Sequence, residues 1–243
     1  MIEVIDLEKS FGRVRALQGV TFTAPDGRIT GLLGPNGAGK TTTLRILYTL
    51  LKPDRGVACI DGLDVVQSRL LVQRRIGALP DTHGIYPRLT ARENIRYFGN
   101  LQGLEGPGLE GTIFHLSELL EMEEFIDRRG EGFSTGQRMK VAIARALVHG
   151  PRNILLDEPT SGLDVMSTRA MRSLIRRLKE DGCCVLLSSH IMQEVSALCD
   201  QIVVISSGRV VACGSDEELK SLTGKTSLED AFVALIGSEE GLF

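Results

Sequence analysis

No run of about 18 uncharged apolar residues occurs in this 243-residue chain, so no segment reads as a bilayer-spanning helix. The first residues, Met1-Ile2-Glu3-Val4-Ile5-Asp6, lack the basic start and apolar middle of a secretion signal and read as a strand. A strong charge of either sign is also missing. The 28 Lys and Arg against 31 Asp and Glu leave a formal net charge of −3. That supplies no bulk field for holding nucleic acid or an anionic membrane surface. Cysteine is sparse: Cys59, Cys183, Cys184, Cys199 and Cys213 form an odd set without a C-x-x-C pair. Most lie among apolar neighbours, the pattern of reduced core thiols in a cytosolic protein, with metal or redox work as the alternative. Internal repeats and long low-complexity segments are absent.

What remains is ordinary globular composition, 42% apolar and 24% charged, with enough length for one large domain or a domain carrying an inserted subdomain. Ile29-Thr30-Gly31-Leu32-Leu33 is a buried-strand pattern running into a glycine-rich turn. A helix is expected over Thr41 to Leu51, with Leu44, Leu47, Tyr48 and Leu51 on one face. Ile76 to Leu79, Ile154 to Leu156 and Val185 to Leu187 read as further strands. Between the last two lies an amphipathic helix carrying Met171, Leu174, Ile175 and Leu178 on its apolar face. Strands alternating with helices predict a parallel α/β sheet covered on both sides. Ile2 to Leu7 and Val20 to Ala24 suggest an antiparallel edge region instead.

Residues 80 to 150 change character. Thr90-Ala91-Arg92-Glu93 is a capping box that opens a helix, Gly99 to Gly111 breaks the pattern, and helical sequence returns through Leu116, Leu119 and Leu120. The expected organisation is a core made of residues 1–79 and 151–213, an inserted helical subdomain at 80–150, and a tail at 214–243 with two short helices. The tail holds seven acids and two bases, so the acidic average belongs to it and the remainder is slightly basic.

Gly34-Pro35-Asn36-Gly37-Ala38-Gly39-Lys40-Thr41 fits GxxxxGK[ST] between a strand and a helix, with Thr42 next in line. Glycines allow successive backbone N–H groups to turn inward as an anion nest, and the helix directs its positive end at the same point. Lys40 adds a point charge near the phosphates, and the Thr41 hydroxyl is a Mg²⁺ ligand candidate. Ile154-Leu155-Leu156-Asp157-Glu158 is an apolar strand ending in two acids. Asp157 would hold Mg²⁺ and Glu158 would polarise the attacking water; caps of the following helix are the alternative.

These residues resemble a family. Phe133-Ser134-Thr135-Gly136-Gln137 precedes the acid pair and is similar to the LSGGQ signature of ATP-binding cassette (ABC) ATPases. Pro159-Thr160-Ser161-Gly162-Leu163-Asp164 looks like that family's D-loop, His190 takes the place of its switch histidine, and Phe11 that of its adenine-stacking ring. The resemblance covers about Ile2 to Gly214. It implies a RecA-like P-loop core with an antiparallel β subdomain and an inserted helical subdomain. It also implies ATP and Mg²⁺ as ligands, and two cassettes sandwiching two ATP molecules. Ser134, Thr135, Gly136 and Gln137 would face the partner cassette's ATP, Asp164 would belong to the D-loop, and His190 would contact the γ-phosphate.

Departures from the family pattern are Phe133 for Leu, Thr135 for Gly and, at the place of the Q-loop glutamine, Asp81. Asp81 is expected to sense the metal, giving three carboxylates around it with Asp157 and Glu158; a solvated loop acid beside Pro80 is the other reading. The resemblance further implies a separately encoded integral membrane permease, docked at Thr82 to Arg88 with His83, Ile85 and Tyr86 as candidate contacts. The chain would then sit peripherally on the cytoplasmic face of the membrane. Residues 79–90 and the Ser227 to Phe232 segment look most like the sodium-extrusion branch of ABC-2-type exporters. A soluble ABC ATPase acting on ribosomes or nucleic acid is the alternative. No nucleic-acid partner is expected for a single acidic cassette without basic extensions.

Overall fold

The computed structural model describes residues 1–81 and 84–237. The chain begins β1 (Ile2–Phe11), β2 (Val14–Ala24), β3 (Ile29–Leu33), α1 (Lys40–Leu47), β4 (Arg55–Ile60), β5 (Leu63–Asp64), α2 (Arg69–Gln73) and β6 (Ile76–Leu79). It continues α3 (Ala91–Leu101), α4 (Gly106–Leu119), α5 (Thr135–Leu147), β7 (Asn153–Asp157), α6 (Val165–Glu180), β8 (Cys184–Ser189) and α7 (Met192–Leu198). The hairpin β9 (Gln201–Ser206) and β10 (Arg209–Gly214) then leads to α8 (Asp216–Thr223) and α9 (Leu228–Ile236).

Two sheets result. One is antiparallel, ordered β2-β1-β4-β5; the other has the order β10-β9-β3-β8-β7-β6, parallel except for the β9–β10 pair. The central strands β3, β7 and β8 are buried at every residue, as expected where helices or a second sheet cover both faces. Alternate side chains serve alternate cores. Ile154, Leu156, Val185 and Leu187 pack with α3–α6, whereas Leu155 and Leu186 pack with α1 and the antiparallel sheet. This is the doubly covered parallel sheet, with an antiparallel sheet and a helical insertion, that the sequence implied.

Several boundaries moved. The edge strands are longer than Ile2–Leu7 and Val20–Ala24 because a bulge at Asp6 (φ 48°) shifts register between Val4 and Leu7, keeping Ile2, Val4 and Leu7 all inward. Helix α1 ends at Leu47, not Leu51, because Thr49 turns left-handed at φ 65°. The glycine-rich stretch is mostly helical. Gly99 lies inside α3, where a Cβ would come 2.4 Å from Leu109 Cδ1, so tight packing of α3 on α4 outweighs glycine's poor helix propensity. The two tail helices form as expected, with Leu228, Ala231 and Phe232 buried.

Candidate active site

The phosphate loop leaves β3 at Gly34, where a Cβ would lie 2.2 Å from Ile205 O. It enters α1 through Gly39 at φ 109°, where a Cβ would meet Ala16 O and Leu17 Cδ2 at 2.7 Å; only glycine fits. Helix α1 has no side-chain cap and no acid in its first turn, leaving its first N–H groups available to an anion. Pro35, Asn36, Gly37 and Ala38 form the crown of the loop, and Ala38 N donates to Pro35 O. The loop is also pinned from behind: Gly208 N donates to Ala38 O, and Gln18 N donates to Gly208 O. Lys40 is buried and donates to Gly34 O at 2.7 Å and Pro35 O at 3.1 Å. Burial lowers its pKa, countered by the charges of Glu158 and Asp157.

Adjacent strands bring the acids beside this loop. Asp157 ends β7 opposite Ser188 of β8. Its Oδ1 accepts from Ser188 Oγ at 2.5 Å and Thr41 Oγ1 at 3.3 Å, while its buried Oδ2 has no hydrogen-bond partner. Burial raises its pKa first, the hydrogen bonds from Ser188 and Thr41 lower it, and the charges of Asp81 and Glu158 raise it further. Glu158 sits left-handed at φ 51°, a conformation costing on the order of 1–3 kcal/mol that its surroundings must over-determine. Its N–H donates to Ser188 Oγ at 3.0 Å. Its Oε1 lies 4.0 Å from Lys40 Nζ, and its Oε2 lies 2.7 Å from His190 Nδ1. A carboxylate only accepts, so Nδ1 carries the proton and Nε2 remains for another partner.

The donor set suits Mg²⁺ better than a metal caged by protein alone. A hydroxyl and a carboxylate with a bare buried oxygen stand beside an anion nest, and Mg²⁺ takes one or two carboxylates plus phosphate oxygens and water. Among the described residues, no group of three or more His, Cys, Asp or Glu side chains is close enough to hold a metal. Asp81 follows β6 at an exposed position. Its charge still reaches Asp157 and the buried Tyr48, whose hydroxyl donates to Leu79 O at 3.2 Å.

Hydrogen bonds and ion pairs thus join Lys40, Thr41, Asp157, Glu158 and His190 into one cluster, with Thr42 following in the first turn of α1. Phe11 stands at the end of β1 with half its surface exposed and Lys9 Nζ 5.7 Å from its ring centroid. The signature lies elsewhere. Ser134 caps α5 in a capping box: its Oγ accepts from Gln137 N at 3.2 Å, and Gln137 Oε1 accepts from Ser134 N at 3.1 Å. Thr135 occupies the first helical position, and a Cβ on Gly136 would come 3.0 Å from Ser167 Oγ. Ser167 N in turn donates to Asp164 Oδ1 at 2.8 Å, making Asp164 the cap of α6. Signature and D-loop therefore abut. Phe133 is buried edge-to-face against Phe125, centroids 5.3 Å apart, which accounts for an aromatic ring at that place.

Residues 17–161 match the family profile described as ABC transporter. The chain is 46% identical to the ABC transporter ATP-binding protein NatA of Bacillus subtilis (strain 168), over 90% of this chain and 91% of that protein. The chain belongs to the ABC transporter family. It is also 38% identical to the daunorubicin/doxorubicin resistance ATP-binding protein DrrA of Streptomyces peucetius, over 93% of this chain and 69% of that one. The solved structure of an ATP-binding subunit of an ABC transporter superposes with TM-score 0.90 at 30% identity, covering 98% of this chain and all of that one. The dimeric cassette MJ0796, in a post-hydrolysis state with ADP and Pi, superposes with TM-score 0.80 at 27% identity, covering 88% of this chain and 98% of that one. The cassette is thus an ATP-binding subunit and an ATPase of this family. Among its described residues no helix is long and apolar enough to cross a membrane.

Sequence reading missed Ser188, which links both acids through one hydroxyl. The only signal was a serine closing an apolar strand, and the β7–β8 register that makes it matter is not written in either strand. Within the anticipated docking segment, Tyr86 is exposed and meets Tyr97 edge-to-face at 5.4 Å. Ile85 instead packs inward on the helical core; Thr82 and His83 lie outside the described residues.

Proposed function

We propose that this cassette powers export through a separately encoded membrane permease, with two copies closing head to tail over two ATP molecules at the cytoplasmic face. The observation that carries this reading is the division of the site. The Lys40–Glu158–His190 cluster makes half of a phosphate enclosure, and the Ser134 anion-binding end opens a different helix. Each copy then lacks what the other supplies.

In this reading the 34–39 loop and Lys40 bind the β- and γ-phosphates, and Phe11 stacks on adenine. Thr41 and Asp157 would hold Mg²⁺, which supplies charge neutralisation on the phosphates. Asp81 acts on the ion through solvent. Glu158 accepts the proton of the attacking water, while His190 holds Glu158 through Nδ1 and offers Nε2 to the γ-phosphate. Ser134, Gly136 and the neighbouring N–H groups face the partner's γ-phosphate, and Asp164 sets the D-loop beside them. The resemblance of residues 79–90 and of the Ser227 to Phe232 segment to the sodium-extrusion branch supports sodium as cargo; the identity with the daunorubicin/doxorubicin resistance protein DrrA supports drugs as the competing cargo. The deciding experiment is co-purification with the membrane subunit, followed by ATP-dependent uptake of ²²Na⁺ or daunorubicin into inside-out vesicles. Efflux coupled to neither, with no bound membrane protein, would defeat the export reading.

A further inference from the structure

One buried carboxylate joins the segments that carry Glu158 and His190 without belonging to that pair. Glu194, on α7, is only 6% exposed. Its Oε2 accepts from the hydroxyl of Thr160, itself buried. Its Oε1 lies 3.5 Å from Arg172 Nη2 on α6. Burying a carboxylate costs more than filling the same place with an apolar side chain. What the carboxylate adds is two acceptor oxygens aimed at two different elements.

Two rungs thus cross between the chain leaving β7 and the chain leaving β8, which are neighbours in register at Asp157 and Ser188. The outer rung is Glu158 Oε2 to His190 Nδ1 at 2.7 Å, with the histidine side chain 45% exposed. The inner rung is Thr160 to Glu194, buried at both ends. Short turns tie the rungs together. Ser161 N donates to Glu158 O at 3.1 Å, closing the turn that holds Thr160. On the other side Ile191 N donates to Ser189 Oγ at 3.0 Å, and Glu194 N donates to Ile191 O at 3.1 Å. Arg172 anchors the inner rung to α6, the helix that Asp164 caps.

Resting on the reading of Glu158 as the base, we propose that Glu194 is a positioning residue. Held by Thr160 and Arg172, it fixes the separation at which His190 meets Glu158. The outer rung, open to solvent, takes its geometry from the inner one. Small displacements of a base from its water are expensive in rate, so loosening the inner rung should be read in kcat.

The test follows phosphate release by the full-length cassette, at concentrations where turnover per cassette no longer rises. Thr160→Val keeps the side-chain shape and removes the donor. Its kcat should fall at least tenfold, with KM for ATP within twofold of wild type. Thr160→Ser keeps the donor and removes a methyl group, and its kcat should stay within threefold. Packing alone gives the reverse order, Val tolerated and Ser damaged, and that order overturns the proposal. A loss confined to KM overturns it too. Should Thr160→Val melt early, the double variant Thr160→Val/Glu194→Met removes both polar partners and should recover Tm. Its kcat should remain low, and recovery of kcat overturns the positioning role. Glu158→Gln in the same assay separates the two readings. Wild-type turnover in that variant removes the base and the proposal with it. An inactive Glu158→Gln beside a fully active Thr160→Val removes the positioning role alone.

Discussion

At the scale of single residues, Glu158 gathers contacts of different kinds: strained backbone, a Ser188 anchor, Lys40 and His190. Replacing it with Gln keeps the shape and removes the base. Steady-state phosphate release should fall about 10²- to 10⁴-fold, while ATP affinity, followed by nucleotide fluorescence, stays near wild type. His149 offers a pH test. Burial holds its pKa below the ordinary histidine value, the hydrogen bond with Ile76 O opposing this in part. A histidine kept neutral in the fold binds fewer protons there than in the unfolded chain, so stability rises with pH across that window. Wild type should therefore lose Tm relative to His149→Gln as pH falls from about 7 toward the folded pKa, where the loss levels off. A constant Tm difference over that range would remove His149 as the titrating group.

Helix caps show what an element's ends are for. Thr90 and Ser134 both close capping boxes, and an Ala at either should cost about 1 kcal/mol of stability, lowering Tm by about 2–4 °C in a domain of this size. They should differ in activity. Thr90→Ala should leave ATP turnover unchanged, because its hydroxyl serves α3 alone. Ser134→Ala should lower turnover by at least tenfold with ATP binding to the single cassette intact, because its hydroxyl is assigned to the partner's γ-phosphate. Calorimetry beside phosphate release separates the two.

Elements were also the level at which sequence was most legible. The run Ile154-Leu155-Leu156 and the 3.6-period stripe of Met171, Leu174 and Ile175 dictate strand and helix by burial alone. The loop glycines announce the phosphate site because no other residue survives at Gly34 or Gly39. What stayed hidden depends on distant partners. Gly99 reads as a breaker until Leu109 is seen against it, and Asp6 reads as an ordinary strand residue until its bulge is placed.

For the whole molecule, the two ends proposed to bind phosphate open different helices, α1 and α5, and on that reading activity should require a second copy. Turnover should rise more steeply than linearly with cassette concentration until dimers saturate. Linear activity down to concentrations at which sedimentation shows only monomer would contradict the sandwich.

The contact of Gly208 with Ala38 and Gln18 fastens the phosphate loop to strands far from it in sequence. A turn residue some 170 positions beyond the phosphate loop is clamped between the loop and β2. At φ 75°, a Cβ on it would press 2.7 Å from Ala16 O. Loop, β-hairpin and antiparallel sheet must therefore travel as one body. A bulky residue engineered at Gly208 would be felt as lost nucleotide affinity rather than as a surface change.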